Sequence, residues 1–264
     1  MPETKLIEFK NNDGNTLRGI FVDADKAEKI VIMAGGFERS ATTEKKFKVL
    51  ADELALLGID SLRFDYAGCG LSDGEFKDVT VSRMSGDFRK GLEEVKKIKA
   101  YQKVSVVVHS LSACVTATLF NEIAFDKIIL MAPAFNQKDL LRYWFVISSM
   151  KKMGSDMKVG WGGFNSFLSE ELFLADCQRE DKMSKTSYLS SAYCLENINK
   201  DYTDLIADAP NILHLHGDKD DKVPAESVDI EFENMIMVKG GDHDLERPDM
   251  REQWLEETLE FLNK

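Results

Sequence analysis

Short apolar runs of strand length alternate along this chain with longer stretches whose apolar positions recur every three or four residues. "KLIEFKN" and "TLRGIFVDA" alternate in polarity on either side of the turn "NNDGN", which predicts an opening antiparallel hairpin. "KIVIMAGG" is a continuous apolar run and predicts a buried strand. In "TTEKKFKVLADELALLG", Phe47, Leu50, Leu54 and Leu57 fall on one helix face and Gly58 can stop the helix. "IDSLRFDY" predicts a further strand. "VTVSRMSGDFRKGLEEVKKIKA" keeps Val81, Met84, Phe88, Leu92, Val95 and Ile98 at helical spacing. The rhythm continues through strand "KVSVVVHS", helix "LSACVTATLFNEIA" and strand "KIILMAPA". After a long interval come strand "NILHLHG", a short helix around "AESVDIEF", strand "MIMVKGG" and a final helix "DMREQWLEETLEFL". Strands apolar on both faces, alternating with helices, predict an α/β protein with a mostly parallel central sheet and helices on both faces.

Residues 135–209 interrupt this alternation. The segment exceeds what a crossover needs and carries its own aromatic clusters, "LRYWFVISSM", "WGGFNSFL" and "AYCLEN". It reads as a mainly helical insertion over one end of the sheet. Ligands of open α/β sheets bind at the strand C-terminal ends, so the expected role is a lid; an extra layer of core helices is the plainer alternative. The division that follows is a core of 1–134 and 210–264 with a helical lid or cap at 135–209.

Composition narrows the function. A net charge of −12 and a pI near 4.9, without a basic patch, argue against nucleic acid and anionic membranes. The clusters "EKKFK" and "EVKKIK" read as solvated helix faces. The start, "MPETKLIEFK", has no secretory signal pattern, and no apolar run approaches the roughly 18 residues that span a bilayer. Cys69, Cys114, Cys177 and Cys194 stand far apart with no C-x-x-C pair, as expected of free thiols in a reducing cytoplasm. No metal-ligand cluster or phosphate-cradling glycine loop is present, so no cofactor is expected. Oligomeric state is open, a homodimer included.

The stretch "VVVHSLSAC" (106–114) turns from strand to helix at Ser110. A serine there is either a helix cap or a nucleophile. A nucleophilic hydroxyl needs a base, an orienter for that base and donors for an oxyanion. "HGDKDDKVP" (216–224) supplies Asp218, Asp220 and Asp221 after a later strand, and "GGDHDLERP" (240–248) supplies His243 after the last one. His109 sits beside the serine, and His214 and His216 lie in a strand and at its end.

The order Ser…Asp…His is that of the α/β-hydrolases. With "AGGF", "RFDYAGCGLSDG", "VVHSLSA", "HGDKDDKVP" and "GGDHDLERP" in register, the chain resembles that superfamily, and most of all the small bacterial serine esterases of the cinnamoyl (feruloyl) esterase type. The resemblance implies an α/β-hydrolase fold, Ser110 as nucleophile and His243 as general base. It places the acid at the fifth position of H-G-x-x-D-x-x-V-P, here Asp220, and the oxyanion donors at the backbone N–H groups of Phe37 and Leu111. Asp65 is then expected to hold its loop. The family elbow prefers glycine two residues either side of the serine, and here those residues are Val108 and Ser112. Val108 has to be accommodated by displaced neighbours. Gly35 and Gly36, after Ala34, replace the usual His-Gly.

The expected activity is a serine carboxylesterase cleaving small-molecule esters of acyl or aryl groups through an acyl-enzyme. Other chemistry of the same triad (thioesterase, peptidase, acyltransferase, lactonase) and a non-catalytic binding protein are the alternatives.

Overall fold

The computed structural model describes residues 2–179 and 189–264. Its strands are β1 (Glu3–Lys10), β2 (Thr16–Asp23), β3 (Lys29–Ala34), β4 (Asp60–Phe64), β5 (Lys103–His109), β6 (Ile128–Met131), β7 (Ile212–Gly217) and β8 (Asn234–Val238). The helices are α1 (Lys45–Leu56), α2 (Val81–Ile98), α3 (Ser112–Leu119), α4 (Gln137–Lys152), α5 (Glu170–Cys177), α6 (Ser191–Asn197) and α7 (Pro248–Asn263).

Successive side chains of a strand point to opposite faces, and here both faces are apolar. Ile30, Ile32, Val106, Val108, Ile128 and Leu130 join one core cluster, with Phe88 and Leu92 of α2 and Val115 of α3. Val31, Met33, Val107, Ile129 and Met131 join the other, with Phe47, Leu50 and Leu54 of α1 and Trp254 of α7. Helices therefore cover both faces. The strands form one sheet in the order β1-β2-β4-β3-β5-β6-β7-β8. Among the described residues, only the β1–β2 and β2–β4 pairs are antiparallel.

This order positions the site. From β3 the chain passes through α1 to β4 on one side; from β5 it passes through α3 to β6 on the other. The loops after the neighbouring strands β3 and β5 therefore diverge and leave a crevice at their C-terminal ends.

Four details differ from the sequence reading. Helix α1 ends at Leu56, and Leu57 is a partly exposed cap rather than a core position; Gly58, at φ +72°, turns the chain away. Ile98, at the end of α2, is also partly exposed. The segment "AESVDIEF" makes only a 3₁₀ turn at Ala225–Ser227, because Val228 leaves it in an extended conformation. Val228 and Phe232 then both pack on the sheet core. Lys46 of "EKKFK" is buried rather than solvated, at 1% exposure.

Between β6 and β7, the described part of 135–209 holds α4, α5, α6 and two 3₁₀ turns, Trp161–Phe167 and Thr203–Leu205; residues 180–188 of that segment lie outside the described residues. Asn136, Ser169 and Ser190 cap the three helices by accepting backbone N–H groups. Arg142 of α4 grips Glu170 at the start of α5 with two hydrogen bonds of 3.0 and 2.6 Å. Among the described residues, no helix is long and apolar enough to cross a membrane.

Trp254 is buried between α7 and the sheet, and its indole N–H donates to the Leu245 carbonyl at 3.2 Å. Trp254→Ala is expected to lower stability by about 3–5 kcal/mol through cavity formation, measured by urea denaturation.

Candidate active site

The site begins with a backbone conformation. Ser110 follows β5 at φ +55°, in the left-handed region, and α3 starts two residues later. Its N–H donates to the Met131 carbonyl at 2.8 Å, and its own carbonyl accepts from Ala113 and Ala134 at 3.1 and 3.2 Å. The turn is thus tied to the end of β6 and to the first turn of α3. The flanking positions explain how the elbow dispenses with its glycines. Val108 is fully buried in the apolar cluster on the α2/α3 face. Ser112 donates to the Gly35 carbonyl and pairs with the Tyr66 hydroxyl at 3.0 Å. The close approach lies instead at Gly36, where a Cβ would stand 2.8 Å from the Ser110 Cβ and 3.2 Å from His109 Nδ1.

Two loops from the C-terminal part of the chain complete the site. His243 Nε2 lies 3.0 Å from Ser110 Oγ, and His243 Nδ1 lies 2.7 Å from Asp220 Oδ2. Asp220 Oδ1 accepts from the Lys222 and Val223 N–H groups at 3.0 and 2.9 Å. Asp218 instead accepts from Gly240 N–H at 2.7 Å, which joins the two loops. Asp221 contributes its carbonyl, which accepts from the Tyr143 hydroxyl at 3.2 Å. Of the three aspartates, then, only Asp220 meets the histidine.

Asp220 is buried, which by itself raises a carboxyl pKa. The hydrogen bonds from His216 and His243, the charge at His243 and the Val223 N–H together outweigh burial and hold Asp220 well below the usual carboxylate range. His109 is also buried. Its Nε2 faces the His243 carbonyl at 2.7 Å and so carries the proton. Burial, then the charge of Lys46, push His109 far down and keep it a neutral donor.

Further clamps hold the His243 loop from behind. Lys46 Nζ donates to the Asp244 carbonyl at 2.9 Å and pairs with Glu44 at 3.3 Å. Arg39 pairs with the Asp244 side chain. Lys46 carries no signal beyond its place at the start of an amphipathic helix. His216, 3.4 Å from Asp220 Oδ2, was legible only as part of a strand end. Asp65 accepts from Ser40, Thr42 and Leu71, tying the loop after β4 to the loop after β3.

Above Ser110 and His243 opens a cavity of about 710 Å³. The core supplies Gly36, Phe37 and Leu111 to its wall; α4 supplies Leu141, Trp144 and Phe145; Phe173 and Tyr193 come from α5 and α6. Among the described residues, neither the Phe37 nor the Leu111 backbone N–H donates to a protein acceptor. Chemically, the arrangement is a hydroxyl that can pass its proton to an imidazole whose far nitrogen is held by a buried anion.

A largely parallel eight-stranded sheet, with a serine at the β5–α3 turn and an aspartate–histidine pair on two later loops, defines the class of α/β-hydrolases. The family model for serine aminopeptidases (S33) matches residues 25–239, and the chain belongs to that family. No curated protein matches it. Among solved structures, Est1E from Butyrivibrio proteoclasticus, with ferulic acid bound, is 18% identical at a TM-score of 0.67, covering 97% of this chain and 96% of that one. The Pyrococcus furiosus esterase Pf2001 is 18% identical at 0.69, covering 98% and 90%. A putative hydrolase from Agrobacterium vitis S4 is 20% identical at 0.69, covering 99% of each chain. At such identities the likeness is one of fold.

Because the folded Asp220 pKa lies below its unfolded value of about 3.9, its contribution to stability is present above that pH and disappears as pH falls through the folded value. Asp220→Asn is therefore expected to destabilise at pH 7, with the gap to wild type closing as pH drops below about 4. Urea midpoints at the two pH values check this.

Proposed function

We propose that the protein is a serine carboxylesterase that cleaves esters of small acyl or aryl groups. One observation carries the reading: His243 Nε2 stands 3.0 Å from Ser110 Oγ with Asp220 2.7 Å behind it, at the floor of a cavity walled by Phe, Trp, Leu and Tyr.

In this reading His243 takes the Ser110 proton as Oγ attacks the ester carbonyl carbon. The carbonyl oxygen becomes an oxyanion, stabilised by the Phe37 and Leu111 N–H groups, each worth about 3–4 kcal/mol. His243 returns the proton to the departing alcohol, and an acyl group remains on Ser110. A water then attacks this acyl-enzyme with His243 again as base, and the acid leaves. Asp220 keeps the proton on His243 Nδ1 and balances the imidazolium that forms. The 135–209 helices act as a lid that takes the apolar part of the substrate. Four buried cysteines, with no disulfide among the described residues, support a reducing, cytoplasmic setting.

The family also includes aminopeptidases, whose substrates present a cationic amino terminus. Of the carboxylates lining this cavity, Asp244 is paired with Arg39, Asp176 lies 3.6 Å from Arg179, and Glu38 is on the exposed rim. Charge pairing at the site thus favours neutral esters.

Wild type is expected to hydrolyse p-nitrophenyl acetate and butyrate faster than aminoacyl p-nitroanilides or thioesters. It is also expected to take up one fluorophosphonate, seen as a mass shift. Ser110→Ala should lose both label and turnover, by at least about 10⁴-fold. A wild type that neither labels nor turns over would remove the esterase reading in favour of a binding protein.

A further inference from the structure

Two histidines stand behind the Ser110–His243–Asp220 unit. His214 and His216 are two residues apart on β7, so both side chains leave the same face of the strand. Both are buried. His216 Nε2 lies 2.8 Å from the Val223 carbonyl and 3.4 Å from Asp220 Oδ2, and His216 Nδ1 lies 3.0 Å from His214 Nε2. The His214 ring stands edge-on to Phe232 at 5.6 Å.

The proton positions follow from the partners. A carbonyl oxygen only accepts, so His216 Nε2 carries a proton. Burial, with His216 beside it, draws His214 down to about 3, so it is neutral with a single ring proton. Its Nδ1 has no hydrogen-bond partner among the described residues, while its Nε2 faces His216. The proton therefore belongs on His214 Nε2, which donates to His216 Nδ1. The ring proton of His216 then stays on Nε2, the atom facing Val223 and Asp220.

Resting on the esterase reading above, we propose that His214 and His216 are a positioning pair for catalysis. His216 steadies the carboxylate oxygen of Asp220 that His243 uses, and His214 fixes the ring and the tautomer of His216. A carboxylate turns about its Cβ–Cγ bond, and Asp220 Oδ1 is already pinned by the Lys222 and Val223 N–H groups. Oδ2 has two imidazoles, His243 on the reacting side and His216 on the other. Removing His216 leaves Oδ2, among the described residues, held by His243 alone. It also frees the carbonyl of Val223, a residue whose own N–H is one of the Oδ1 donors. The carboxylate can then shift, and the imidazole follows it away from Ser110. Neither histidine touches substrate.

The experiment compares wild type with His216→Leu, His216→Gln and His214→Leu. It reads kcat and KM on p-nitrophenyl butyrate, the melting temperature, and the downfield proton resonance of the His243–Asp220 hydrogen bond. His216→Leu is expected to lower kcat roughly 10- to 100-fold, to leave KM within about twofold, and to move or broaden that resonance. His216→Gln places an amide N–H near the lost Nε2–H and is expected to restore most of kcat and the resonance. His214→Leu should fall between, and it decides the matter should His216→Leu fail to fold. Unchanged kcat and resonance in the leucine variants would overturn the proposal. So would equal losses in His216→Leu and His216→Gln that track a common drop in melting temperature. The resonance needs no substrate, so a wild type inert toward esters would sink the esterase reading while this geometric test still ran.

Discussion

The site depends on one strained residue. A serine at φ +55° sits where side chains are disfavoured, at a cost on the order of 1–3 kcal/mol. The conformation lifts Oγ out of the sheet at the β5–α3 turn, and the surrounding contacts over-determine it. Met131 holds the Ser110 N–H, Ala113 and Ala134 hold its carbonyl, and Ser112 ties the start of α3 to the Gly35 carbonyl. The clearance that a glycine-flanked elbow gains from its own glycines comes here from Gly36 on the neighbouring loop. Any Cβ there would collide with Ser110. The requirement for a residue without a side chain has moved from one strand to the next.

Once Ser110 is fixed, its partners must be brought from far along the chain. The loop after β3 carries Gly36 and Phe37; the loops after β7 and β8 carry Asp220 and His243. Sheet order places the β3 and β5 ends side by side, but it does not lock the His243 loop onto them. Side chains do that. Lys46 reaches the Asp244 carbonyl, Arg39 the Asp244 carboxylate, and His109 the His243 carbonyl. Each contact joins the first half of the chain to its last quarter. Removing one partner would leave a buried polar group behind, which is worse than never having had the pair.

The sequence made the sheet legible because its strands are apolar on both faces and its helices on one. Ser110, Asp220 and His243 were legible because each follows a strand in a known order, although the motif had to choose Asp220 among three aspartates. What could not be read were the effects of long-range contact. The "AESVDIEF" segment has helix-compatible residues, yet Val228 and Phe232 gain more by lying extended against the sheet. Lys46 looks like any solvated lysine until a carbonyl some 200 positions away takes its ammonium group. By elbow preference Val108 needs displaced neighbours; in the fold, strand alternation points it into the core beside Val106. His214 and His216 left a faint trace, two imidazoles at strand spacing, the second four residues before Asp220. Nothing in the spacing alone says that such rings bond each other rather than merely fill space.

The polar atoms around Asp220 show how a buried anion is tolerated next to an apolar cavity. Moving a bare carboxylate out of water costs several kcal/mol, and burial is indeed the largest single influence on this one. It is offset by two backbone N–H groups on one oxygen and two imidazoles on the other. Among the described residues, neither Arg nor Lys is paired with Asp220; the cations nearby are spent on Asp244 and Glu44. That separation has a chemical consequence. In the proposed mechanism, a permanent cation on Asp220 would neutralise the charge that balances an imidazolium at His243. Hydrogen-bond donors hold the carboxylate in place and leave its negative charge for the imidazole beside it.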